Sequence, residues 1–339
     1  MRAIEVGEDR LLAPVELGLP PPADGQALLD VAFCGICGSD LHFRDVPALF
    51  PAGTIPGHEL SGRIAALGAG VDGRWKVGDR VTVLPFAQCG ECELCLAGEE
   101  QVCAQAVARG VGLGSGRPGG YAEQIIVDER MLFALPASVD DRAGALTEPL
   151  AVAVRAVTQS GLAPQRRAMV IGAGPIGVLT ALVLADRGHR DVTVLSRNPA
   201  RRELAASLGF QAVSPEQRDA GPAPAVVFEC AGTPAAARLA FELVAPVGRV
   251  MLLGVSLEPL ELPVPPILFK EATLRGILTY SRADFAAAIE MLERGAIPVE
   301  RIVTAVAPLE DAEACFQTLT APGNSNLKIL LEPQSGASG

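Results

Sequence analysis

Aromatic residues are scarce, at 4% of the chain with a single Trp, so the core must be built from Ala, Val, Leu and Ile. Cations are also in deficit: 28 Lys and Arg stand against 39 Asp and Glu, a net charge of −11. A chain this acidic repels phosphate backbones and anionic lipid, which argues against a nucleic-acid or membrane partner. Long apolar runs are missing. A spanning helix needs ~18 consecutive apolar residues, and the run after Gly177 is broken at Asp186 and Arg187. The segment Met1 to Asp9 is charged and lacks the apolar core of a secretory signal, so a cytoplasmic protein is expected.

What is present points to an ordinary globular chain. Apolar residues make up 49% and charged residues 20% of the 339, which excludes wholesale disorder. The length suits roughly two domains. Eight cysteines fall unevenly. Cys34 and Cys37 lie near the front, Cys89, Cys92, Cys95 and Cys103 form a cluster, and Cys230 and Cys315 stand alone. Thiols packed this tightly in an intracellular chain suggest metal rather than disulfides.

Two textures follow one another. The first part is strand and turn: Gln26 to Phe33, Arg80 to Leu84 and Gln124 to Val127 are short β-rich runs bounded by Gly, Pro and Asp. After Pro149, strand-like runs at Ala168 to Ile171, Val192 to Leu195, Val226 to Phe228 and Val250 to Leu253 alternate with Ala/Leu-rich helical stretches. That alternation predicts a doubly wound parallel sheet, an α/β fold. A helix from Asp284 to Arg294 and a strand from Leu327 to Leu331 close the chain, ahead of a tail, Gln334 to Gly339, expected to be mobile.

The first strand of the second texture runs into Gly172-Ala173-Gly174-Pro175-Ile176-Gly177. The first glycine permits a tight turn, the second lets the backbone approach a pyrophosphate, and the third lets helix and strand pack closely. Pro175 suits the first helical turn, where its missing N–H costs nothing. An acidic residue ending the next strand would hold the ribose 2′-hydroxyl of NAD. Here stand Ser196 and Arg197, with Arg201 and Arg202 one helical turn on. A hydroxyl and a guanidinium can bind a 2′-phosphate, so NADP is favoured, with NAD as the alternative.

Cys89-x2-Cys92-x2-Cys95-x7-Cys103 supplies four thiolates for a closed, structural zinc. The x7 gap and the absent Cys-Pro ending speak against an iron–sulfur cluster. A second constellation is Cys37-Gly38-Ser39-Asp40-Leu41-His42 followed by Gly57-His58-Glu59, which holds two of only three histidines. Cys37, His58 and a carboxylate, Glu59 or Glu148, give the mixed ligation that a catalytic zinc with a replaceable position requires. Asp40, in a first helical turn, suits the helix dipole. Cys34, Cys230 and Cys315 read as buried small hydrophobes, and His189, after Gly188, as a solvated turn residue.

These motifs occur together and in order with Gly120-Tyr121-Ala122-Glu123 and Glu148-Pro149-Leu150. On them the chain resembles a zinc-containing medium-chain dehydrogenase/reductase of the alcohol, sorbitol and threonine dehydrogenase branch. The resemblance implies a GroES-like catalytic domain over residues 1–148, with the structural-zinc lobe at about 86–105. A Rossmann domain would follow over 149–280, and the chain would return to the catalytic domain over 281–339. It further implies two zinc ions per chain, a homodimer or homotetramer, and a small alcohol or ketone substrate. Cys37 and His58 would bind the catalytic zinc with Glu59, Glu148 or both. Hydride would pass between an alcohol carbon and the nicotinamide, while the proton leaves through Ser39 and the cofactor ribose to His42. Ser39 and His42, three apart on a helix, would share a face; the competing role for Ser39 is to cap that helix. A non-redox relative, lyase or sensor, and a zinc-ribbon interaction module are the remaining readings.

Overall fold

A computed structural model describes residues 1–114, 116–218 and 221–334, so the tail beyond Gln334 lies outside the described residues. The chain divides into two compact units, Met1–Glu148 with Ala288–Gly339, and Pro149–Ala287. Up to Pro149 the strands are β1 (Arg2–Val6), β2 (Leu12–Glu16), β3 (Gln26–Gly35), β4 (Glu59–Leu67), β5 (Arg80–Val83), β6 (Gln124–Asp128) and β7 (Leu132–Ala134). The second unit carries β8 (Ala168–Ile171), β9 (Val192–Leu195), β10 (Gln211–Val213), β11 (Val226–Glu229), β12 (Arg249–Leu252) and β13 (Thr273–Gly276). The returning chain adds β14 (Val303–Pro308) and β15 (Lys328–Glu332) to the first unit.

In the first unit a seven-stranded sheet runs β14-β15-β3-β4-β5-β7, with β6 also paired to β3. β3 and β4 are antiparallel, and their register sets Gly35 opposite Glu59. β15 joins β3 with Leu330 opposite Gly35. The ends of three strands distant in sequence therefore meet at one place. Buried Val31, Leu60, Ile64, Val81 and Ile125 form the core beside them, with Tyr121, Phe50 and Phe316 as its large aromatic members.

The second unit is α/β. Its six strands are all parallel, in the order β10-β9-β8-β11-β12-β13. Strand order reverses between β8 and β11, which makes the crevice beyond their carboxyl ends the ligand position for an open sheet. β8, β9 and β11 are buried along their whole length, as helices on both faces require. No helix of the described residues is long and apolar enough to cross a membrane.

Candidate active site and metal centres

β3 ends at Gly35, and two residues later Cys37 occupies the N-cap of the helix Gly38–Phe43. Its backbone N–H donates to Asp40 Oδ2 at 3.1 Å. The cap thus belongs to Cys37 with Asp40, and the capping role considered for Ser39 falls away; Ser39 lies half-buried in the first turn, with His42 exposed three residues on. His58 and Glu59, which lead into β4, are 4% and 1% exposed. A Cβ at Gly35 would collide with the Glu59 carboxylate, so the glycine clears the space that group occupies.

The sheet register brings these segments together. One ligand atom from each of Cys37, His58 and Glu59 lies within 4.8 Å of the others. His58 Nδ1 faces Asp40 Oδ1 at 3.4 Å, and both atoms are buried with no hydrogen-bond partner. Burial disfavours a charged imidazole here, but Asp40 and Cys37 outweigh it and hold the His58 pKa well above its usual value. A carboxylate facing one ring nitrogen leaves the other for a metal, the usual arrangement of a metal-bound histidine. Thiolate, imidazole and carboxylate together suit zinc.

Asp40 does more than complement a helix dipole: fully buried, it also accepts from Tyr121 Oη at 2.9 Å. Both Glu59 oxygens are held by Lys328 Nζ, at 2.7 and 2.5 Å, and the same ammonium donates to Ile36 O at 2.8 Å. Burial opposes the Lys328 charge, but Glu59 keeps its pKa raised. Glu148, 6% exposed in the first turn of the helix Thr147–Ser160, adds its charge to the same lysine. It is not among the three converging ligand residues.

The second centre is the loop of four cysteines. Cys89 and Cys95 Sγ are 3.8 Å apart, Cys92 and Cys103 3.9 Å, and Cys103 and Cys89 3.6 Å. A tetrahedron with Zn–S bonds of about 2.3 Å has edges of about 3.8 Å. A disulfide would need about 2.05 Å. The thiols therefore fit a closed zinc site. Backbone N–H groups of Glu91 and Cys92 pull the Cys89 pKa down to about 6, whereas loss of hydration pushes Cys95 up to about 12.

In the second unit the three glycines have separate tasks. Gly172 follows β8 at φ +102°, where a Cβ would come within 2.8 Å of Ala231 N. Gly177 would collide with Gly172 O, so helix and strand could not pack with a side chain there. Gly174 is the N-cap of the helix Pro175–Asp186 and has open space at its Cβ position, with Arg201 Nη1 nearest at 3.8 Å. Pro175 takes the first helical position and Ile176 the second. A helix terminus of this kind can receive a pyrophosphate. Ser196, buried, ends the run of β9, and Arg197 is exposed beside it. Arg202 donates to the carbonyls of Ser196 and Arg197 at 2.7 and 2.9 Å and so holds this turn. Glu229, fully buried at the end of β11, accepts from the N–H groups of Ala231 and Gly232 at 2.8 and 2.9 Å; burial raises its pKa despite them.

One expectation is corrected. His189 is not solvated but only 6% exposed, because the chain turns at Gly188 (φ +84°) and folds the residue back to donate its N–H to Leu184 O. Burial, then Arg187, lower its pKa. Cys34 and Cys315 are buried, and burial raises the pKa of Cys34, Cys230 and Cys315, as inert thiols require. Sequence reasoning missed Lys328 and the reach of Asp40 and Tyr121. A lysine between Leu327 and Ile329 in an apolar strand was the available signal for the first.

Residues 23–137 match the alcohol dehydrogenase GroES-like domain, and residues 175–294 the zinc-binding dehydrogenase family. The chain is 35% identical to 2-dehydro-3-deoxy-L-galactonate 5-dehydrogenase of Pseudoalteromonas atlantica, over 92% of each chain. It is 34% identical to (R,R)-butanediol dehydrogenase of Bacillus subtilis, over 93% of this chain and 94% of that one. A crystal structure from Sinorhizobium meliloti, of a chain assigned as a zinc-binding dehydrogenase bound to NADP, superposes with a TM-score of 0.88 at 29% identity, covering 98% of this chain and 99% of that one.

Proposed function

We propose, from the premise that the chain belongs to the zinc-binding medium-chain dehydrogenases and is a zinc-dependent NAD(P) alcohol or polyol dehydrogenase, that it interconverts a secondary alcohol or polyol and its ketone with NADP as the preferred nicotinamide. The convergence of Cys37, His58 and Glu59 carries this reading. These residues hold the catalytic metal, with Asp40 fixing the His58 ring and Glu148 as the second carboxylate of the site. Bound there, zinc supplies Lewis acidity toward the substrate oxygen and the nicotinamide supplies a hydride acceptor.

The protein's own part is binding, orientation and proton movement. The helix terminus at Gly174, Pro175 and Ile176 receives the pyrophosphate, with Gly172 and Gly177 shaping the turn. Ser196 and Arg197 receive the 2′-phosphate, because the carboxylate that would select a bare ribose is missing at the end of β9. Ser39 Oγ takes the proton from the substrate hydroxyl, and exposed His42, on the same helix face, delivers it to water. The four-Cys loop holds the structural zinc. A homodimer or homotetramer accords with Leu268 and Leu278, each 69% exposed, and Phe269, 89% exposed, flanking the open edge strand β13.

The test is a panel of secondary alcohols, diols and polyols, with initial rates of nicotinamide reduction in NADP and NAD. NADP-dependent turnover that vanishes in Cys37→Ala is expected. Turnover surviving that substitution would remove the metal from the reaction, and NAD-preferring turnover would reverse the cofactor assignment.

A further inference from the structure

We infer that Tyr121 is a positioning residue for the catalytic metal, tying the Cys37–Asp40 turn to the Gly57–Glu59 segment and acting on His58 through Asp40. The inference rests on the proposed metal-binding role of Cys37, His58 and Glu59.

Tyr121 is fully buried and touches both ligand-bearing segments. Its hydroxyl donates to Asp40 Oδ2 at 2.9 Å, the oxygen that also accepts the Cys37 N–H at 3.1 Å. The other oxygen of that carboxylate faces His58 Nδ1 at 3.4 Å. On the opposite side the ring lies against Gly57, the residue before His58. A Cβ at Gly57 would fall 2.5 Å from Tyr121 Cδ1, so only glycine lets the ring come this close. The backbone repeats the connection, with Tyr121 N donating to Pro56 O at 3.0 Å and Gly120 N to Gly57 O at 2.7 Å. Phe316 meets the ring edge-on, centroids 6.2 Å apart, and completes the packing around it.

Packing alone would be served by phenylalanine, since a buried hydroxyl must find a partner. The partner here is the carboxylate that orients a zinc-ligating histidine. Two donors on Oδ2 fix the plane of that carboxylate and therefore where Oδ1 points. With the hydroxyl gone, one donor remains, the plane is free to turn about it, and the imidazole loses its fixed orientation. Outer partners of metal ligands act in this way and are worth tenfold or more in metal affinity.

The experiment uses zinc-loaded full-length protein as wild type, Tyr121→Phe, Asp40→Asn and the double variant. A colorimetric chelator follows zinc release, with the four-Cys zinc as internal reference and Cys37→Ala identifying the catalytic phase. Tyr121→Phe keeps the ring, and a circular-dichroism melt checks its fold. The expected result is catalytic zinc lost about tenfold faster, the four-Cys zinc unchanged, and a double variant no worse than Asp40→Asn alone. Unchanged release in Tyr121→Phe, or effects that multiply in the double variant, would overturn the inference while leaving the metal site intact. A wild type that holds only the four-Cys zinc would instead overturn the metal-site reading, and this inference with it. Phenylalanine that behaves differently from tyrosine only in the absence of Asp40 would also count against it.

Discussion

Lys328 Nζ sits 2.7 and 2.5 Å from the two oxygens of Glu59, and both side chains are almost wholly buried. Removing one partner of such a pair leaves an uncompensated charge, which costs about 3–5 kcal/mol. Lys328→Met should lower the stability of the metal-free protein by that amount in urea unfolding. Glu59→Gln added to it should restore part of the loss. A change below about 1 kcal/mol, the worth of an exposed pair, would mean that water reaches the site.

Cofactor choice should hinge on the end of β9. A charge-assisted hydrogen bond to a phosphate is worth about 1.5–3 kcal/mol, or one to two orders of magnitude in affinity. Ser196→Asp and Arg197→Ala are each expected to raise the KM for NADP by about that factor, while the KM for NAD stays nearly unchanged in Arg197→Ala and falls in Ser196→Asp, whose carboxylate would hold the ribose 2′-hydroxyl. Parallel shifts for both cofactors would place the 2′-phosphate elsewhere.

Ser39→Ala should slow turnover by about a hundredfold, the lower range for a positioned proton-transfer group, with both zinc ions retained. Metal analysis beside kcat checks this. Full activity would exclude Ser39 from the proton path.

Metal content should be two zinc ions per chain, falling to one in either Cys37→Ala or Cys103→Ala. Uptake at the four-Cys loop requires Cys95, whose pKa stands at about 12, to lose its proton, whereas Cys89, at about 6, is already a thiolate at neutral pH. Affinity should therefore fall as pH drops, with protons appearing on binding. Competition with a chelator at pH 6 and pH 8 measures it, and a pH-independent affinity would contradict the assignment.

Glu229 should make stability depend on pH in the opposite sense from a salt-bridged acid. Burial raises its pKa in the folded state, so the folded chain holds this proton more tightly than the unfolded chain does. Its contribution is present in full below the unfolded-state value and is lost as pH rises through the folded-state value. Glu229→Gln should flatten that decline, so that its melting temperature gains on the wild type as pH rises above the usual carboxylate range. An identical pH trend in both proteins would show that the carboxyl ionises without penalty.

The parallel sheet could be read from the chain because each of its inner strands is a short, mostly apolar run that includes Val or Ile, separated from the next by a helical stretch. β8 and β9 have the expected ends, and β12 starts one residue earlier than expected, at Arg249. β13, Thr-Leu-Arg-Gly and exposed along its length, offered no such run, since an edge strand need not be apolar. The cysteines and the glycine turn announced themselves by spacing. Lys328 could not, because it lies 269 residues from Glu59 and only the pairing of both β15 and β4 with the end of β3 brings them together. His189 was misread because a glycine before a histidine suggests a surface turn, and nothing local records that the turn folds inward.

The position of β15 also has a consequence for the order of synthesis. Pro149–Ala287 is continuous in the chain and can fold as soon as it has left the ribosome, as domains generally do. The sheet that carries Cys37, His58 and Glu59 lacks β14 and β15 at that moment. Glu59 must wait without its counter-charge, and the Cys34–Gly35 end of β3 without its partner strand, until Lys328 emerges. A truncated product ending before β15 would carry every proposed ligand of the catalytic metal and still lack the cation that neutralises Glu59.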